Sequence, residues 1–366
     1  MRDGKHISAC KRAKWPSPRG HFVRCGRPQK LSEKAKSFFD KLSRRILRRL
    51  FFSRGANFVQ VKGRFAPSPS GRMHLGNLMS ALLAWLDVRS QGGTMVLRIE
   101  DLDPDRCTRE KAARVMDDLA WLGLDWDEGG LEPEYMQSCR SDIYAAAFEK
   151  LNEQGLIYPC YCSRAERLAV SAPHRSDGTV VYPGRCSHLT EEERRAFETA
   201  GRRPAWRVRV PDEDMVLEDG HLGRYEENLL RGCGDFILRR SDGVWAYQLA
   251  VVVDDALMGV NHVVRGSDLL SSSPRQAWLH RMLGYEPPKF YHLPLLVDET
   301  GRRLSKRDAD LDMGALRQRF TPGELTGWLA WQAGLLDEPE NVTPGRLVSL
   351  FSWAKVPKND IVVDLP

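Results

Sequence analysis

The stretch Gly63 to Asn77, GRFAPSPSGRMHLGN, limits what this chain can fold into more than any other. It sets three glycines, two prolines, two serines and His74 into one turn. Upstream, FVQVKGRFA reads as a strand; downstream, Leu75, Leu78, Met79, Leu82, Leu83 and Leu86 recur at helical spacing. A strand that runs through a tight turn straight into a helix opens a βαβ unit. TMVLRIE then reads as a second buried strand, followed by the helical TREKAARVMDDLAWLGL. This alternation predicts an α/β chain with a parallel, doubly wound sheet of Rossmann type and crossover helices.

Further along, YQLAVVVDDALMG and HVVRG read as additional strands. SSPRQAWLHRMLG reads as a helix with serine at its N-cap, proline at the first helical position and glycine at its end. Residues 156–230 break the alternation and read as an inserted domain. The expected organisation is a basic, disordered extension over 1–56, the first half of the sheet domain over 57–155, and the insertion over 156–230. The second half follows over 231–300, then a helical C-terminal segment over 301–366. Within that last segment FTPGELTGWLAWQAGLLD reads as one helical element and the remainder as a short tail.

With 366 residues, 42% of them hydrophobic, the chain can bury more than one core. No apolar run approaches the roughly 18 residues a membrane helix needs, and no secretory segment follows the start. The expected location is the cytoplasm. The eight cysteines are scattered through a long chain, which suits a reducing compartment; only Cys160, Cys162 and Cys186 are grouped. The net charge of +6 hides an asymmetry: residues 1–55 carry 17 Lys plus Arg against three acids, and the rest carries 38 against 46. The basic segment reads as a solvated arm or the product of an upstream start, ahead of a nucleic-acid-binding arm or a transit peptide. No chemistry is assigned to it.

The turn after the first strand has a physical use. In a parallel sheet it lies at the carboxyl end of the strands, where the following helix offers free N–H groups and a partial positive charge to a phosphate. Small residues let phosphate reach the backbone, and His74 is placed to donate to it as charge develops. A second stretch, DETGRRLSKRDAD at 298–310, is a turn with Arg302, Arg303, Lys306 and Arg307 around Leu304 and Ser305. His74-Leu75-Gly76-Asn77 early and Arg303-Leu304-Ser305-Lys306-Arg307 late resemble the two signatures of class I aminoacyl-tRNA synthetases, written in general form as HIGH and KMSKS. The resemblance implies an ATP site at the start of the helix, with His74, Gly76, Asn77 and Lys306 taking the triphosphate and its Mg²⁺. Lys306 and His74 would be the catalytic groups.

GRFAPSPSG, LRIEDLDPDR, WAYQLAVVVDD and VVRGSDLL are similar to sequences of the glutamate branch of that class. A glutamate pocket needs cations for the side-chain carboxylate, an anion for the ammonium and a hydroxyl for orientation. Arg64, Arg265, Glu100 and Tyr247 supply that set, and the resemblance adds the loop residues Phe65, Ala66, Pro67 and Ser68. Ordinary glutamyl-tRNA synthetases continue much further, into anticodon-binding domains, whereas 59 residues follow Arg307 here. The chain therefore resembles the truncated paralogues, the glutamyl-Q tRNA(Asp) synthetases. That resemblance implies tRNA-independent activation of L-glutamate with ATP and its transfer to queuosine at the wobble position of tRNA(Asp), by a monomer. The departures are Arg303 in place of the signature's first lysine, and KRDADLDMGALR, which is more similar to the full-length synthetases.

The insertion carries YPCYCSRAE and VVYPGRCSH. Cys160 and Cys162, in a turn ahead of a Ser163/Glu166 capping box, offer two thiolates, and Cys186 offers a third. For the fourth position of a tetrahedral zinc site, ligand chemistry favours His174 or His188. The resemblance places it on Tyr182 instead, giving Cys160, Cys162, Tyr182 and Cys186 around one structural Zn²⁺.

Overall fold

A computed structural model describes residues 60–163, 181–304 and 312–363. The core is a five-stranded parallel sheet. β1 (Lys62–Phe65) leads through the glycine and proline turn into α1 (Leu75–Ser90), which returns to β2 (Thr94–Leu97) beside β1. α2 (Arg109–Leu122) then leads to β3 (Glu128–Gly129) at the sheet edge. α2 starts where Thr108 accepts from the Lys111 N–H at 3.3 Å, and it stops at Gly123 in the left-handed conformation. α3 (Ser141–Glu153) closes the first half.

The insertion begins with β4 (Ile157–Cys160) and continues through α4 (Glu191–Thr199) to β5 (Ala205–Val208). A hairpin of β6 (Asp214–Asp219) and β7 (Gly223–Asn228) follows, then β8 (Phe236–Arg239). β4, β5 and β8 form their own antiparallel sheet, so it reaches past the boundary expected at residue 230.

The second half differs from the sequence expectation at one element. YQLAVVVDDALMG, expected as a strand, is helix α5 (Tyr247–Met258), ended by Gly259 at φ 72°. α5 packs against α3 and against α6 (Ser273–Met282), and Leu249 through Asp255 are all buried. With both sides covered it needs no polar stripe, and its valine run imitates a buried strand. The expected strand HVVRG is β9 (His262–Gly266), and a 3₁₀ turn over Ser267–Ser272 links it to α6. β10 (Lys289–Leu293) pairs in parallel with β9. β11 (Leu296–Val297) follows, then α7 (Met313–Arg319) and α8 (Pro322–Gln332).

The expected tail is folded. β12 (Ile361–Val362) pairs with β11, and Trp353 donates from Nε1 to Asp87 Oδ1 at 2.8 Å while stacking on Tyr291. Side chains alternate across the sheet. Met95 and Leu97 join a core with α1, α2 and α8, and Val96 joins one with α3, α5 and α6. Each fully buried leucine in these cores contributes about 1.5–3 kcal/mol. Among the described residues no helix is long and apolar enough to cross a membrane.

Candidate active site

The first strand's neighbours lie on either side of it, with β2 and β3 to one flank and β9 and β10 to the other. The crevice at the carboxyl ends of β1 and β9 is therefore the switch point at which ligands bind in open parallel sheets. A cavity of about 500 Å³ opens there. Its wall contains Arg64, Phe65, Ala66, Pro67 and Ser68 from the end of β1 and the following turn. Glu100, just past β2, Tyr247, the first residue of α5, and Arg265 of β9 complete the expected amino-acid set. The same cavity is lined by His74, Gly76 and Asn77 at the start of α1. His74 is the N-cap, and its N–H donates to Asn77 Oδ1 at 3.4 Å. Lys306 lies outside the described residues, as do Ser305 and Arg307. Arg303, which opens that signature, is hydrogen-bonded to Asp268 at the cavity wall, and Leu304 is buried.

The charges behind the cavity are built into the core. Arg98 is fully buried. It donates from Nη2 to Glu100 Oε1 at 3.0 Å and from Nη1 to Asp255 Oδ1 at 2.6 Å. Arg64 donates from Nη1 to the Val264 carbonyl at 2.9 Å, and its Nε stands 3.8 Å from Asp255 Oδ1 with no hydrogen-bond partner among the described residues. Burial pushes the Arg64 guanidinium below its ordinary value, although Asp255 opposes the shift. Burial pushes the Glu100 carboxyl up, against its bond to Arg98. The Tyr247 phenol is raised by burial, so it stays protonated and able to donate. Burial also works against an ionised Asp255, yet Arg98 and Arg64 hold it below the usual carboxylate range. The pocket thus presents two cations and an anion of tunable charge on a frame of paired buried ions.

In the insertion, Cys160, Cys162 and Cys186 place their sulfurs within 4.8 Å of one another. The Tyr182 hydroxyl is 3.5 Å from Cys160 Sγ and 3.6 Å from Cys162 Sγ, and it accepts the Cys186 N–H at 2.9 Å. Zinc–sulfur bonds of about 2.3 Å in a tetrahedron separate their sulfurs by about 3.8 Å, so this donor set fits such a cation. His188, favoured by ligand chemistry alone, is exposed and is not part of the cluster. Its ring is turned out by the 3₁₀ turn Arg185–His188 that carries Cys186 inward. His174 and Glu166 lie outside the described residues.

Residues 60–320 match the family of class I tRNA synthetases (E and Q), catalytic domain. A glutamyl-Q tRNA(Asp) synthetase of Nitratidesulfovibrio vulgaris is 49% identical over 308 residues, which cover 82% of this chain and 95% of that protein. The one from Deinococcus radiodurans is 46% identical over 305 residues, covering 80% and 97%. The chain belongs to the glutamyl-Q tRNA(Asp) synthetases. Among solved structures, a glutamate tRNA ligase of Elizabethkingia meningosepticum in complex with its amino acid matches with a TM-score of 0.71 at 28% identity. That match covers 83% of this chain and 67% of the other.

In this glutamyl-Q tRNA(Asp) synthetase some residues that line or underlie the cavity were not singled out from the sequence. Arg72 lines the cavity, and its buried Nη1 has no hydrogen-bond partner among the described residues. A lone cation inside a turn of small residues was the available signal. Asp254 and Asp255 were equally visible as two acids in an apolar run, which is tolerable only if buried partners meet them. Arg140 and Arg98 do so.

Proposed function

We propose that this enzyme uses ATP to activate L-glutamate as glutamyl-adenylate without tRNA, and then esterifies the glutamate to queuosine at the wobble position of tRNA(Asp). The observation that carries this reading is the single cavity joining Arg64, Glu100, Tyr247 and Arg265 to His74, Gly76 and Asn77. Arg64 and Arg265 pair with the side-chain carboxylate, Glu100 takes the ammonium and Tyr247 orients the substrate, with Phe65 to Ser68 shaping the wall. The glutamate α-carboxylate oxygen attacks the α-phosphorus, the bond to the bridging oxygen breaks, and pyrophosphate leaves; Mg²⁺ bound with ATP would supply further charge neutralisation to the phosphates. His74 and Lys306 donate to the phosphates as charge grows. Cys160, Cys162, Tyr182 and Cys186 would hold a zinc ion whose role would be structural, fixing the insertion.

The same activation step would serve charging of a tRNA 3′ end, a reading favoured by the likeness to glutamate tRNA ligases. Glutamate-dependent ATP–pyrophosphate exchange without RNA tests the first step. Transfer to tRNA(Asp) with and without queuosine, and with and without its 3′-terminal adenosine, tests the second. Acceptance by queuosine-bearing tRNA(Asp) that lacks the terminal adenosine is expected, and loss of acceptance on its removal would favour the 3′ end.

A further inference from the structure

Two buried residues that no step above uses stand directly behind Arg265. Asp219 ends β6 in the insertion hairpin, and His292 lies in β10 at the edge of the parallel sheet. His292 Nδ1 is 2.6 Å from Asp219 Oδ2, and His292 Nε2 is 3.1 Å from Arg265 Nε. Asp219 Oδ1 accepts the backbone N–H groups of His221 at 3.0 Å, Leu222 at 2.8 Å and His292 at 3.2 Å. Burial works against that carboxylate, but the His292 bond and the backbone donors hold it below its usual range. Burial likewise pushes the His292 ring down, against its bond to Asp219.

An ionised carboxylate only accepts, so Nδ1 of the neutral imidazole carries the proton and Nε2 presents its lone pair. A guanidinium only donates. The tautomer therefore decides whether the Arg265 Nε–H meets an acceptor or another donor. Arg265 is held from two further directions, Nη1 donating to Gln276 Oε1 at 2.7 Å and Nη2 to Ser273 Oγ at 2.8 Å. The hairpin that supplies Asp219 is itself seated on β10. Gly220 N–H donates to the Phe290 carbonyl at 2.8 Å, and a Cβ at Gly220 would run into the Tyr291 ring.

We propose that Asp219 and His292 are positioning residues for the amino-acid pocket: Asp219 fixes the tautomer in which His292 Nε2 accepts, and His292 orients Arg265 for the substrate's side-chain carboxylate. The insertion thereby contributes to amino-acid recognition through a residue that never touches substrate. This rests on the reading of Arg265 as a partner of that carboxylate.

The test is pyrophosphate exchange by the full chain, with KM measured separately for glutamate and for ATP. Asp219→Asn keeps the shape but lets an amide N–H face Nδ1, which reverses the tautomer. KM for glutamate should rise about tenfold to a hundredfold, the scale of a hydrogen bond to a charged group, while KM for ATP stays put. His292→Phe should act the same way. His292→Gln, whose Oε1 falls near the place of Nε2, should recover most of the affinity for glutamate. Equal rises in both KM values, or a glutamate KM that ignores Asp219→Asn and His292→Phe, would overturn the assignment. If Asp219→Asn lacks a cooperative thermal melt, the contrast between Gln and Phe at position 292 decides, and equal glutamate KM values for those two would overturn it. Absence of glutamate-dependent exchange in the unaltered protein would instead overturn the proposed activation, and the inference with it.

Discussion

Arg98 and Asp255 are 157 positions apart in the chain, and their side chains meet at 2.6 Å with neither more than 4% exposed. The pair ties the segment just past β2 to α5 beneath the cavity, with Glu100 on the other arm of the same guanidinium. Removing the cation would leave two buried carboxylates facing each other without compensation. Arg98→Met should destabilise the protein by about 3–5 kcal/mol. The midpoint and slope of urea unfolding check this, and a loss under about 1 kcal/mol would mean that solvent reaches the site once the arginine is gone.

Glu100 gives a pH dependence with a defined sign. Burial raises its carboxyl above the ordinary value, with Arg98 only partly opposing. The anion proposed to receive the ammonium exists only above that raised value, so kcat/KM for glutamate should fall on the acid side earlier than an ordinary carboxylate near pH 4.3 would dictate. Stability responds the other way. The folded state holds this proton more tightly than the unfolded one, so the group adds stability as pH falls. Glu100→Gln should remove both trends, read from the exchange profile and from thermal melts across the same pH range.

Lys306 is the strongest single test of the activation chemistry. Loss of one donor to developing phosphate charge typically costs about 2.7–4 kcal/mol. Lys306→Ala should lower glutamate-dependent exchange by about two to three orders of magnitude while zinc content stays unchanged. An unaltered exchange rate would remove the lysine from the mechanism.

The metal reading separates the two half-reactions. Cys160→Ser should release about one equivalent of zinc and impair transfer to tRNA more than adenylate formation, because the proposed four-ligand site would organise the fold around it. Elemental analysis of protein prepared without chelator, alongside exchange and transfer assays, decides it. A variant that retained zinc but lost only exchange would put the insertion in the wrong role.

The sheet and the cavity were legible where periodicity and turn chemistry agree. Strand, turn and helix at Lys62 to Ser90 follow from glycine, proline and the leucine spacing, and the cavity at their junction follows from a parallel sheet. Tyr247 to Met258 was misread because the valines are covered on every side, and its acids serve buried arginines instead of marking a solvent face. Gly259, in the left-handed conformation that ends helices, was the better signal. The segment after Leu347 has little regular structure, so its anchoring through Trp353 and Ile361 leaves no periodic trace. Asp219 and His292 were invisible for another reason. They meet only once two strands of different sheets are in place, and no local pattern encodes that.

The central strand β1 is flanked on one side by β2, 32 residues on, and on the other by β9, where Gly63 pairs with His262. A ribosome adding about 5–20 residues per second takes roughly 10–40 s to supply that second neighbour. Throughout that interval the nascent chain has a central strand with one bare ladder edge, a template for pairing with other chains. The insertion is made entirely within the delay, and its small antiparallel sheet and cysteine cluster draw on no strand of the parallel sheet. Recombinant yield should therefore respond to chaperone supply and slower translation more than to any change at the cavity, since the vulnerable species is the unfinished sheet.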